Sequence, residues 1–395
     1  MKKLICLFLI LSGTVSAADN NAVNEANKLI NERKYLSAFE LLDKEDPKNE
    51  NPDILILKTD IVLKYFVKSN MHVMFALRDL KQNDDLIEIR KGVGSYSMFI
   101  FDPEEELSSL IKKYPENFQL YKSLGYFYNE VLYKYGSNWK VPPENLMNLY
   151  EKNYKKAYDN GVYDYWSLYG LGYAKMIKKD YNEAITYFEK AILLKDDDPV
   201  CLYNLGYAYM LTKQPEKGIK YADKAYNLYD YKPYKADAAR IAGLMNMGLN
   251  DYSEAEKYLI KSDEANPENY NTYTLLIYTD LKLNNTDYIK WTKKVFDLSA
   301  EDQNYYSDVV EMYLNFDKLD EILKILNGMK KFSGNSDKSS GNIYYFTGWI
   351  YLKTGNKVNA KNDFIRSASY FRKVYPEDHG VFELIDSAIR DIDSE

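Results

Sequence analysis

The residues able to do covalent or metal chemistry in this chain are few and scattered. Beyond the first seventeen residues there are two histidines, His72 and His379, and one cysteine, Cys201. Metal ligation and nucleophilic catalysis need such groups at short, matched spacings, and the two histidines lie far apart with no neighbouring residues at ligand spacing. Cys201 opens a helix just after Pro199 with no Cys or His partner, so it reads as a small apolar thiol. "KGVGSY" (Lys91 to Tyr96) has two glycines of a phosphate loop but no third, no following Lys-Ser or Lys-Thr and no preceding strand. "KDDDP" (Lys195 to Pro199) lacks the alternating acids, turn glycine and closing glutamate of a calcium loop and reads as a helix cap. The expectation is a protein with no catalytic residue, metal or cofactor, and not an enzyme.

The chemistry that recurs is aromatic, because tyrosine accounts for 40 of the 395 residues. Trp166, Tyr169, Tyr173 and Met176 follow helical spacing on one face, and Val200, Tyr203, Tyr207 and Met210 repeat the stripe. Asn204 stands beside the second stripe, and Tyr126, Tyr278, Tyr345 and Trp349 hold equivalent places elsewhere. Rigid rings with a polar edge bury large area at low entropic cost, which suits an interface. The same rings also fill gaps between helices, so packing and binding both stand at this stage.

The elements that must position these rings show a period. "YGLGYAKM" (Tyr169 to Met176) and "YNLGYAYM" (Tyr203 to Met210) place Gly172 and Gly206 34 residues apart. Leu171 and Leu205, Ala184 and Gly218, and Ala191 and Ala225 keep the same interval. A glycine inside a helix costs about 1 kcal/mol relative to alanine, so one kept at a fixed interval must be repaid by packing. In each unit Leu168, Leu171 and Gly172 share one helical face. After a turn at Lys179-Asp180, Ala184, Ile185, Phe188 and Ala191 line a second helix. Gly172 is expected to approach Ala184, with Phe188 and Ala191 facing the next hairpin.

This pattern resembles the tetratricopeptide repeat family, whose helical hairpins are about 34 residues long. Leu171, Gly172, Ala184, Phe188 and Ala191 match its positions, as do Leu202, Leu205, Gly206 and Tyr209, while Lys175, Gly218 and Ala222 depart from them. Gly125 in "YKSLGYFY", Gly243 with Ala255, and Gly348 with Ala360 extend the signature. The long loop through "GSNWKVPPE" (Gly136 to Glu144) is similar to the Sel1-like variant, near residues 118–161. The resemblance implies an all-α fold, a right-handed α-solenoid of stacked antiparallel helix hairpins. Its concave face, lined by the first helices, binds extended peptides in proteins that look like this. In members that clamp a C-terminal carboxylate, Lys, Asn and Arg hold sites occupied here by Tyr169, Tyr173, Asn204, Asp237 and Ile241. Only Asn204 matches, so that mode is not expected.

The domain reading is a signal peptide at 1–17, degenerate hairpins at 18–116, a clear array at 117–269 and degenerate hairpins at 270–330. A C-terminal unit at 341–375 and a capping helix at 376–395 complete it. Pro52 to Lys81 reads as a further hairpin, and "FSGNSDKSSGN" (Phe332 to Asn342) as a surface loop. Met1-Lys2-Lys3, the apolar run Leu4 to Leu11 and the ending Val15-Ser16-Ala17 have the order of an export signal, too short to span a bilayer. The expected location is periplasmic or secreted. A net charge of −7 with no basic stripe argues against nucleic acid. The composition, 46% hydrophobic and 28% charged, suits a large core without a membrane span in the mature chain. The expected role is a scaffold of the bacterial cell envelope that binds a protein or peptide segment, with a glycan or peptidoglycan module as the alternative.

Overall fold

The computed structural model describes residues 17–331 and 336–394, so the export signal, Ala17 apart, lies outside the described residues. The chain divides into two compact units, one ending at Asp196 and the other beginning at Asp197. The described residues include twenty α-helices, most of them paired as successive antiparallel hairpins, and the fold class is all-α. None of these helices is long and apolar enough to cross a membrane.

The N-terminal unit begins with the hairpin α1 (Ala17–Asn31) and α2 (Tyr35–Glu45), followed by α3 (Pro52–Tyr65). The hairpin expected over Pro52 to Lys81 is not formed. After α3 the chain enters a three-stranded antiparallel sheet, β1 (Lys68–Asn70), β2 (Met74–Ala76) and β3 (Phe99–Ile100), with the short α4 (Leu86–Lys91) between β2 and β3. The β1–β2 reversal closes through a bond from the Val73 amide to the Asn70 carbonyl. Met71 and His72 both sit at positive φ, 49° and 48°. That geometry normally announces itself as Asn-Gly, and Met-His gives no such signal.

Next come α5 (Pro103–Lys113), α6 (Phe118–Tyr135), α7 (Pro143–Tyr158), α8 (Tyr165–Ile177) and α9 (Tyr181–Leu194). The long loop between α6 and α7 turns at Gly136, where φ is +50°, and folds its Trp139 back against Phe127 and Tyr135.

The C-terminal unit is a run of hairpins. It contains α10 (Pro199–Leu211), α11 (Pro215–Leu228), α12 (Lys232–Gly248), α13 (Tyr252–Ala265), α14 (Tyr270–Leu283) and α15 (Tyr288–Leu298). It continues through α16 (Gln303–Asn315), α17 (Leu319–Met329), α18 (Asp337–Lys353), α19 (Lys357–Phe371) and α20 (Gly380–Ser394). The loop expected over Phe332 to Asn342 is shorter than the sequence suggested. Ser336 caps α18 by accepting from the Ser339 amide, and residues from Asp337 onward are helical, while residues 332–335 lie outside the description. α20 buries Phe382 and Ile385 and packs Ile389 and Ile392 partly against the Ala360, Phe364 and Phe371 cluster.

One turn recurs in seven hairpins. Arg33, Lys179, Lys213, Asn250, Asn284, Asp317 and Gly355 each take positive φ between the two helices. The following amide reaches back to a carbonyl five residues earlier, as Asp180 does to Lys175 and Gln214 to Tyr209, both at 2.9 Å. This left-handed cap satisfies carbonyls that the helix end would otherwise orphan. It is present in α14–α15 and α16–α17, whose sequences lack the glycine signature.

The glycine contacts differ in detail from the expectation. A Cβ on Gly172 would meet the Phe188 ring at 2.6 Å, so the intimate contact is with Phe188 of the same hairpin rather than with Ala184. Gly348 lies likewise under Phe364, Gly243 under Leu259 and Gly125 under Tyr154. Gly206 faces Ala222, and there the backbones themselves approach, with the Ala222 amide nitrogen 3.1 Å from the built Cβ. The larger the side chain on the second helix, the more of the glycine's vacancy it fills. Ala184, Ala191, Ala225, Ala255 and Ala360 are all fully buried, and Gly218 is buried against Met245.

Candidate functional site

α16 and α18, first helices of their hairpins, are separated by a cleft of about 460 Å³. Its floor is buried Val310 and Phe346. α18 supplies Tyr345 and Trp349, four residues apart on one face, and α16 supplies Gln303, Asn304, Ser307, Glu311 and Leu314. Gln303, Asn304, Ser307 and Glu311 are exposed, and their side chains make no hydrogen bond or ion pair among the described residues. Tyr345 is braced edge-on by Phe346 and Phe364, at ring separations of 5.2 and 5.9 Å. The Lys353 ammonium lies 5.2 Å from the Trp349 ring centre. The site therefore sets fixed rings against uncommitted amide, hydroxyl and carboxylate groups, an arrangement that can hydrogen-bond a chain while covering its apolar parts.

A larger hollow of about 1090 Å³ runs along the second helices α15 and α17. Two of its acids are already engaged, Glu321 by Tyr288 and Lys318, and Glu301 by Ser336. It contains none of the residues singled out from the sequence. The larger hollow also keeps Lys293, Asp297 and Lys324 uncommitted among the described residues, and the smaller cleft is the better candidate because it sets its uncommitted polar groups beside Tyr345 and Trp349, two of the aromatic residues singled out from the sequence.

The other aromatic candidates fall into two sets. On α8 the rings of Tyr165, Tyr169 and Tyr173 stack in file at 6.3 and 6.2 Å, with Trp166 edge-on to Tyr165 at 5.0 Å. Trp166 is 54% and Tyr173 41% exposed, whereas half-buried Tyr169 also touches Phe188. Lys195 lies over both Tyr165 and Trp166. Tyr203 and Tyr207 also stack, at 6.2 Å, and pack against the core of Ala222, Ile241, Ala242 and Met245, as Tyr345 and Trp349 pack against theirs. Asn204 beside them is half-buried.

Tyr126 and Tyr278 are half-buried and line neither hollow. Tyr126 sits below Lys64, with burial and nearby Glu130 and Asp60 holding its hydroxyl protonated. Tyr278 is edge-on to Phe316 at 5.6 Å and near Tyr252. Sequence periodicity found Tyr345 and Trp349 but missed the whole α16 wall. The only available signal there was the polar series Gln303, Ser307 and Glu311 at intervals of four.

The groups considered for chemistry have structural places. Asp198 caps α10 by accepting from the Val200 and Cys201 amides, and Cys201 is buried. His379 stacks on Tyr375 and accepts from the Val381 amide. His72 is fully buried among Phe66, Phe75 and Tyr135, its Nδ1 bonded to Ser69 and Tyr135. Burial, with Lys134 and Arg90 nearby, pushes its pKa down to about 3. Asp280 on α14 is also fully buried. Asn285 donates to it at 3.0 Å and to Glu256 at 3.2 Å, and burial with Glu256 and Asp287 raises the Asp280 pKa to about 7. Among the described residues no three His, Cys, Asp or Glu side chains are grouped to hold a metal.

Residues 167–198 and 200–230 match the tetratricopeptide repeat model. Over those two segments the chain is similar to the tetratricopeptide repeat. Proteins built from this repeat are generally protein-interaction scaffolds. No curated protein matches the chain. Among solved structures it is similar to a tetratricopeptide repeat protein from Parabacteroides merdae ATCC 43184, at 17% identity and TM-score 0.41, over 74% of this chain and 99% of that one. It is also similar to YrrB, a TPR protein described as having an unusual peptide-binding site, at 19% identity and TM-score 0.41, over 50% and 93%. MamA matches at 19% identity and TM-score 0.40, over 48% and 96%.

Proposed function

We propose that this repeat protein is a non-catalytic interaction scaffold of the bacterial cell envelope, exported through residues 1–17 to a periplasmic or secreted location. Its ligand is an extended peptide or protein segment held on first-helix faces, with the cleft between α16 and α18 as the main site. The observation that carries this reading is the set of unspent side chains Gln303, Asn304, Ser307 and Glu311 facing Tyr345 and Trp349. An extended backbone has unpaired amides and carbonyls that side-chain amides can satisfy, and its side chains need an apolar cover. Exposed Trp166 and Tyr173 on α8 form an accessory surface.

The test is crosslinking and pull-down from envelope extract with the full mature chain, beside Trp349→Ala and Asn304→Ala. A protein captured by the parent and reduced at least about tenfold by both variants, with unchanged helical circular dichroism, supports the reading, since anchors at interface centres commonly contribute 1–2 kcal/mol or more. Capture indifferent to both substitutions removes the cleft from the binding surface. Bound polysaccharide lost with Trp349→Ala would instead favour the glycan alternative, because rings and amides also suit sugars.

A further inference from the structure

Glu311 is the only charged side chain lining the α16–α18 cleft, and it has no ion-pair or hydrogen-bond partner among the described residues. Opposite it are the rings of Tyr345 and Trp349. An aromatic face attracts a cation, and a carboxylate set against it supplies the countercharge. The Lys353 ammonium already sits 5.2 Å from the Trp349 ring centre, so a second cation there depends on the Glu311 carboxylate to offset the repulsion. The net charge of −7 favours approach of a basic segment.

We infer that the cleft recognises a basic residue in its peptide, an arginine, whose guanidinium lies on the Tyr345 and Trp349 side and pairs with the Glu311 carboxylate. This rests on the peptide-binding reading above and adds its sequence preference. Arginine fits better than lysine because its planar group can stack on a ring and hydrogen-bond a carboxylate through two N–H groups at once. Gln303, Asn304 and Ser307 then meet the ligand backbone rather than its charge. A neutral or acidic residue at that position would leave Glu311 facing an uncharged or like-charged group.

The experiment uses the full mature chain labelled with 5-fluorotryptophan at its four tryptophans, with the Trp349 ¹⁹F resonance assigned from Trp349→Phe. The probes are capped Ala-Ala-Xaa-Ala-Ala peptides with Xaa arginine, lysine, citrulline or glutamate. Citrulline keeps the shape of arginine without its charge. The expected result is a Trp349 shift that saturates with the arginine peptide at least about tenfold more tightly than with citrulline. In Glu311→Gln the arginine peptide should fall to the citrulline level, and the difference should shrink as salt is raised. If arginine and citrulline peptides move Trp349 with equal affinity, the peptide cleft stands and the charge preference is overturned. If no peptide moves Trp349, both are overturned.

Discussion

The Phe188 ring lies so close above Gly172 that a methyl group on that glycine would stand 2.6 Å from two of its carbons. Phe188 is fully buried and cannot swing away into solvent. Gly172→Ala should therefore destabilise the chain by about 1–3 kcal/mol through overpacking, although alanine is the better helix former. Gly328 on α17 has nothing within 4 Å of its built Cβ, so Gly328→Ala should raise stability by up to about 1 kcal/mol. Thermal unfolding of the two variants checks this, and a shift of the same sign in both would contradict the packing argument.

Buried His72 should make the N-terminal unit acid-sensitive. Its folded pKa of about 3 lies below the ordinary value of 6.5, so the folded chain holds it neutral while the unfolded chain takes up a proton. Its contribution to stability is complete above pH 6.5 and is lost as pH falls towards 3, by a few kcal/mol in all. Denaturant unfolding at stepped pH should show that slope. His72→Asn, which tolerates the left-handed backbone, should be less stable at neutral pH and flatter in acid.

Asp280 acts in the opposite sense in the C-terminal unit. Its folded pKa of about 7 lies above the ordinary 3.8, so the fold prefers the protonated acid. Stability from this site is greatest below pH 4 and declines by a few kcal/mol as pH rises to about 7, after which it is level. Asp280→Asn keeps the shape of the protonated acid and should remove the decline. Hydrogen exchange of α13 and α14 amides across pH 4 to 8 reads it locally, and an unchanged pH slope in the variant would place the proton elsewhere.

The hairpin period, the buried alanines and the repeat family were legible in the residues because they depend on local pattern. Gly172, Ala184 and Ala191, with Gly206 and Ala225, recur at 34 because each hairpin meets the same packing problem. The shared left-handed turn at Asn284 and Asp317 was not legible, since Lys, Arg, Asn, Asp and Gly all occupy that place in one hairpin or another. Nor was the small sheet, because the Met71-His72 reversal lacks the glycine that would have announced it.

For the candidate site, spacing alone placed Tyr345 and Trp349 on a common helical face, as it did Tyr203 and Tyr207. The tertiary structure half-buries both pairs against core side chains, the second against Ile241 and Met245, and sets only the first beside the α16–α18 cleft as well. It also brought Glu311 and its neighbours on α16 opposite the rings, a meeting of residues more than thirty positions apart in sequence. Periodicity states which side chains share a helix face. What that face meets is decided by where the next helix lies, and that depends on side chains far along the chain.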